Sequence, residues 1–519
     1  MKLSTSRPAL ALAALGLAVA ALTGCGGAAA GSGDTTLDVQ FSGPPITGLD
    51  PAKSGGGGSL IYSTLAYDSL IFVQPDGTLV PDLAESWQWV DDQHQVFELT
   101  LRQGVKFSDG TAMTAEGVAQ WLHYFRDAKS TLSGTLAMLT EAVAVDATTV
   151  RMTLSEPSPD LPVLLSQQFP GGLVAAPAGM NTPGSLDAAT IGTGPYMLDP
   201  ADTVTGDHYS YVPNPHYWNP NGIVYEKVVV HTISDANTVL SALSSGQLDI
   251  ALGSPSTARA AEDSGIEVRS APGRVVGLFL LDRDGTHAPA LADVKVRQAI
   301  NYAIDRASIV AALNPDGFAD PTSQMAVPQQ EGFDPALDTI YPYDPEKARQ
   351  LLAEAGYGDG LSFEVTCSST LGTCPYAETI AGSLAGVGIT MTIDQVAEVS
   401  AFNQKFASGE APAVLFQSGG PAFRTAYGLT RENVLANPFD TVDPEIDAAF
   451  AQLTAGDTVG PAWRDLVRLL AEKGWFAPVA RPHALVFSTG VGNVSLHEKV
   501  PTYFSVIDPT GTHTWRPAA

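Results

Sequence analysis

The chain has 519 residues, 45% apolar and only 16% charged, with 55 acids against 27 Lys and Arg for a formal net charge of −28. That length and apolar fraction suffice for two or three hydrophobic cores and exclude intrinsic disorder for the bulk of the chain. The acidic balance repels polyanions, which argues against a nucleic-acid partner. No stretch after residue 25 reaches the roughly 18–20 continuous apolar residues of a membrane span, so the composition predicts a large, soluble, acidic protein.

Lys2 and Arg7 flank a start that runs into apolar residues from Pro8 to Leu22, the outline of a secretory signal that is set aside from fold reasoning. Gly26 to Asp34 (GGAAAGSGD) reads as a flexible tether. Phe97, Leu99 and Leu101 alternate with Glu98 and Thr100, the period of a half-buried strand, and lead to a turn at Ser108-Asp109-Gly110. Thr114 is placed to cap a helix whose Val118, Trp121, Leu122 and Phe125 fall on one face. Val228 to Ile233 reads as a strand. Ser234 is then expected to cap a helix carrying Val239, Ala242 and Leu243, stopped by Gly246. Asp293 starts a further helix through Val296, Ile300, Ala303 and Ile304. Asp344 and Pro345 start another, with Ala348, Leu351, Leu352 and Ala355 on one face and Gly356 as its stop. Strands and helices mixed over this length predict an α/β architecture in more than one domain.

Chemistry-bearing motifs are few. Cys367 and Cys374 stand seven positions apart around a Gly-containing loop, which suits a local disulfide outside the cytoplasm; two free buried thiols or a metal pair are the alternatives. The histidines are scattered, with no two at ligand spacing on one element, and no metal site is expected. There is no GxSxG elbow, no HExxH and no Cys nucleophile context, so no enzyme activity and no cofactor are expected.

Two resemblances then enter. Leu22-Thr23-Gly24-Cys25 resembles the lipobox of bacterial lipoproteins, which implies a signal peptide over 1–24, a lipidated Cys25 and a tether over 25–33. Leu49-Asp50-Pro51, the run from Tyr67 to Trp121 containing VPDLAESW and FSDGTAMTAE, GTGPY at 192–196 and NPHYW at 214–218 form one set of blocks. LSSGQLDIA at 243–251, DVKVRQAINYAIDR at 293–306 and YDPEKARQLLAEAGY at 343–357 continue it in order. Together they resemble the family 5 extracytoplasmic solute-binding proteins of ABC importers, the oligopeptide- and dipeptide-binding group. After about residue 390 the likeness thins.

The resemblance implies an α/β, two-lobed periplasmic-binding-protein-like clamp of the large three-domain type (class II). Lobe one would take 34–63, 190–285 and 485–519, a small accessory domain 64–189, and lobe two 286–484. The implied partners are a small-molecule or peptide ligand held between the lobes, ABC permease and ATPase subunits, and a membrane reached through the lipid anchor. The protein would be an extracytoplasmic monomer, on the outer face of one membrane or in the periplasm of two. A ligand sensor using the same clamp, or a secreted hydrolase, is the alternative. Most motif residues, Trp87 and Trp218 among them, have sufficient scaffold reasons to exist.

Ligand contacts implied by the family lie in three regions. The first is the glycine run after Leu-Asp-Pro, here Gly55, Gly57 and Ser59, where a bare backbone can approach a ligand. The second is Gly277 and Phe279. The third is Phe416, Gln417, Ser418, Gly419, Phe423 and Arg424, where peptide binders carry an Asp for the peptide's α-amine. This chain has no acid between Glu410 and Glu432 and carries Arg424 instead, which favours an acidic or polyhydroxyl solute over a free-amine peptide.

Overall fold

The capping signals place the helices. In the computed structural model Thr114 accepts a hydrogen bond from the Gly117 N–H at the start of the helix Ala115–Asp127, whose Val118, Trp121, Leu122 and Phe125 are buried. Asp293 and Asp344 likewise cap Val294–Ala303 and Pro345–Glu354. The strand expected at 228–233 runs Lys227–Thr232, and the helix after it is capped by Asp235 rather than Ser234. Asp235 wins because its carboxylate accepts from the Thr238 N–H at 2.8 Å, a stronger charge-assisted cap than a hydroxyl one position earlier. The structure describes residues 36–45, 48–53, 60–130, 132–432, 434–455, 459–496, 499 and 505–518. The signal, Cys25, the tether, Gly55, Gly57 and Ser59 lie outside the described residues. Among the described residues no helix is long and apolar enough to cross a membrane.

Twelve strands form one mixed sheet. From one edge it runs Ile389–Val396, Leu361–Ser368, Ala413–Ser418 and Val275–Leu280 to the long strand Phe476–Ser488. It continues through Ile250–Leu252, Thr36–Phe41, Lys227–Thr232 and His208–Pro213 to Tyr196–Leu198. The 13-residue strand Phe476–Ser488 is therefore shared: its first half pairs with Val275–Leu280, its second with Ile250–Leu252 and Glu267–Pro272. A separate antiparallel sheet joins Ala84–Trp89, Val96–Leu101, Thr149–Leu154 and Leu139–Ala144.

Burial divides the molecule into lobes. One core fuses the small sheet and its helix with one half of the large sheet, joining Phe97, Leu99 and Trp121 to Leu37, Val39, Val228 and Ile250. The other half has a core on each face. The strand Val275–Leu280 is buried throughout and splits by its two-residue period, Val276, Leu278 and Leu280 to one side, Val275 and Phe279 to the other. The chain crosses between these lobes at Pro272-Gly273-Arg274 and at Arg481–His483. The Gly273 N–H donates to the Pro482 carbonyl at 2.9 Å, so the two crossings are tied together.

The GTGP segment shows why a motif can be purely structural. A Cβ on Gly192 or Gly194 would collide with the Ala66 backbone, and the Gly194 N–H donates to the Ala66 carbonyl at 2.9 Å. Trp218 packs against the first core with its indole N–H on Asp68 Oδ2 at 2.7 Å, and Trp87 covers the edge of that core.

Candidate functional site

Three strands of the second lobe, Leu361–Ser368, Ile389–Val396 and Ala413–Ser418, run parallel, so their carboxyl ends share one edge. Ser418 at that edge registers with Val275, the first residue after the crossing, and Arg274 lies against Gly419. In open α/β sheets this edge is the usual ligand site, because helices begin there and backbone N–H groups point outward.

The edge is braced by covalent and hydrogen bonds. Cys367 and Cys374 are joined by a disulfide, which ties the end of one strand to the start of the helix Cys374–Ala385. Inside the loop it closes, the Ser368 N–H donates to Thr373 Oγ1 at 3.0 Å and the Thr373 N–H donates to the Ser368 carbonyl at 3.1 Å. Gln417 Nε2 reaches the Leu371 carbonyl at 3.5 Å, so the loop rests on the strand that carries the expected contacts.

The expected contacts divide by burial. Phe416, Gln417, Ser418 and Gly419 are half-buried at the strand's end. Phe279 is a correction: its ring is 1% exposed, with Phe476, Phe416 and Phe406 edge-on at centroid distances of 4.9, 5.8 and 6.1 Å. Gly277 is another, since a Cβ there would meet Pro478 Cα at 2.7 Å; its glycine serves strand packing. Phe423 is buried against Phe450. These three support the wall from behind.

Arg424 is the most informative. It stands in the first turn of the helix Ala422–Thr430, whose start has no side-chain cap, with its guanidinium 5.4 Å from the Tyr427 ring centroid. Its Nη2 donates to Ser158 Oγ at 3.5 Å, and its Nε stands 3.8 Å from Asp160 Oδ2. The sequence has no acid between Glu410 and Glu432, and the acid beside Arg424 arrives instead from the other lobe. Leu161 and Leu164, next to Asp160, are part of the first core. Burial raises the Asp160 carboxyl above its ordinary range, while Arg424 and the Ser158 hydroxyl pull it back. Burial, with the charge of Glu156, also raises the Tyr427 phenol. Ser158, Asp160, Arg274 and Leu371 were missed from sequence: Ser158 and Arg424 are 266 positions apart, and no local pattern links them.

Residues 78–431 match the family described as bacterial extracellular solute-binding proteins, family 5. The chain belongs to that family. The glutathione-binding protein GsiB of Escherichia coli O157:H7 is 30% identical over 359 residues, which span 68% of this chain and 66% of GsiB. NikA from Brucella suis, solved with Fe(III)-EDTA, is 24% identical with a TM-score of 0.75, covering 93% of this chain and 100% of NikA. AgaA from A. tumefaciens R10, solved with agropinic acid, is 23% identical with a TM-score of 0.74, covering 93% of this chain and 99% of AgaA. The family 5 assignment and the α/β, periplasmic-binding-protein-like fold expected from sequence are both borne out.

Proposed function

We propose that this family 5 chain captures a small acidic solute, peptide-like or polyhydroxyl, between its lobes and delivers it to the permease and ATPase subunits of an ABC importer. The observation that carries the ligand class is Arg424, a mostly buried guanidinium in the first turn of an uncapped helix, facing the opposite lobe. Arg presents a planar fork that suits carboxylates, and the helix start adds partial positive charge of the same sign. The exposed Arg274 beside Gly419 adds a second cation at the same edge. Glutathione, the solute in the name of GsiB, is a tripeptide with two carboxylates, and agropinic acid is acidic by name. The reading makes the protein a receptor rather than an enzyme, anchored outside the cytoplasm by a lipid on Cys25.

The test is binding of a solute panel to soluble protein starting after Cys25, read by thermal shift and calorimetry. The panel holds free-amine peptides, N-blocked peptides, glutathione, sugar acids and neutral oligosaccharides. Arg424→Ala should weaken binding of the stabilising acidic solute at least tenfold, about 1.4 kcal/mol. Stabilisation by free-amine, uncharged-side-chain peptides alone would make this an ordinary peptide receptor.

A further inference from the structure

We propose that Asp160 is a built-in competitor for Arg424, a carboxylate of the protein's own that stands where an anionic ligand group would sit and sets the affinity for it. The inference rests on the acidic-solute reading and adds a specificity-determining residue to it.

Position comes first. Asp160 is anchored to the first core through Leu161 and Leu164, and Arg424 to a core of the second lobe through Phe423, Ala426 and Leu429. The pair therefore spans the two lobes, as a captured solute would.

Geometry comes second. Asp160 has a 5% exposed side chain, and its Oδ1 accepts from Ser158 Oγ at 2.9 Å. Its Oδ2 is buried and makes no hydrogen bond with Arg424 Nε, which faces it across 3.8 Å and is itself buried without one, while the Arg424 backbone N–H also acts on the carboxylate. That gap exceeds a hydrogen bond. An ion pair that served stability alone would close it, because a buried, unpaired charged group is costly. Here a buried donor and a buried acceptor face each other as an ion pair with no hydrogen bond between them.

Electrostatics supplies the consequence. A solute carboxylate that reaches Arg424 comes close to Asp160 in a poorly screened setting, with Glu156 adding charge of the same sign beside Tyr427. Asp160 therefore penalises anionic ligands and leaves neutral ones alone, which is discrimination by a repulsive element.

The experiment is calorimetry with glutathione and with glutathione diethyl ester, which lacks both free carboxylates. Asp160→Asn keeps an oxygen for the Ser158 hydroxyl and removes the charge; Asp160→Ser removes the same charge if the amide is not tolerated. Either variant should bind glutathione about tenfold more tightly than the unaltered protein. Neither should gain for the diethyl ester, and the gain should vanish when Arg424→Ala is added. Equal or weaker glutathione binding by both Asp160 variants, or no binding by any of the proteins, overturns the inference. Failure of the acidic-solute reading is distinguishable: Arg424→Ala alone would then bind glutathione as the unaltered protein does.

Discussion

Asp68 and Asp82 sit in the Tyr67–Trp121 block as two more acids in an acid-rich chain, yet both are buried and line one small cavity with Tyr67 and Gln167. Burial pushes the Asp82 carboxyl up to about 7, against the pull of the Ser69 hydroxyl and N–H and of Arg102, with Asp508 adding to the rise. Asp68 is also raised well above the usual range, by burial first and then by Asp82, while Trp218 and Arg102 oppose. The folded state therefore keeps protons that the unfolded chain, with carboxyls near 4, releases. This contribution to stability is fully present below about pH 4 and is lost as pH rises through about 7. Thermal unfolding of the wild type between pH 4 and pH 8 should show the loss. Asp82→Asn keeps an acceptor for Ser69 and should flatten the fall; an unchanged slope would show that the pair is not what titrates.

Single elements test the division between wall and core. Phe279→Ala leaves three phenylalanine rings around a cavity and should cost about 3–5 kcal/mol in denaturant unfolding. A variant of normal stability that had lost its ligand would instead put Phe279 back in the binding surface. Elements were also where the sequence was most legible. The caps Thr114, Asp293 and Asp344 and the alternation at Phe97, Leu99 and Leu101 are set within a few neighbouring residues, so a short window contains the whole cause. The cap falls one position after Ser234 because two adjacent residues can both cap, and only the hydrogen bond to Asp235 chooses. The surroundings of Gly277 and Phe279 are hard to read from sequence for a different reason. Strand Val275–Leu280 is buried on both faces, and nothing in its own six residues says which neighbour each side chain meets.

At the scale of the whole molecule, the acidic chain is expected to reach its membrane through Cys25. Cys25→Ala should move the protein from the membrane pellet to the soluble fraction on fractionation of expressing cells, and retention in the pellet would sink the anchor. The sequence by itself determined the family, the α/β class and the position of most capped helices. Each of these is written in short segments or in collinear motifs. Only the tertiary structure decided what faces Arg424, how one long strand serves both lobes, and which of the expected contacts reach a surface. The physical reason is range. A cap or a turn is satisfied by residues three or four positions away, whereas a charge between two lobes is satisfied by whatever the fold brings opposite it. Here the fold brings Ser158 and Asp160 to an arginine that, along the chain, has no acid near it.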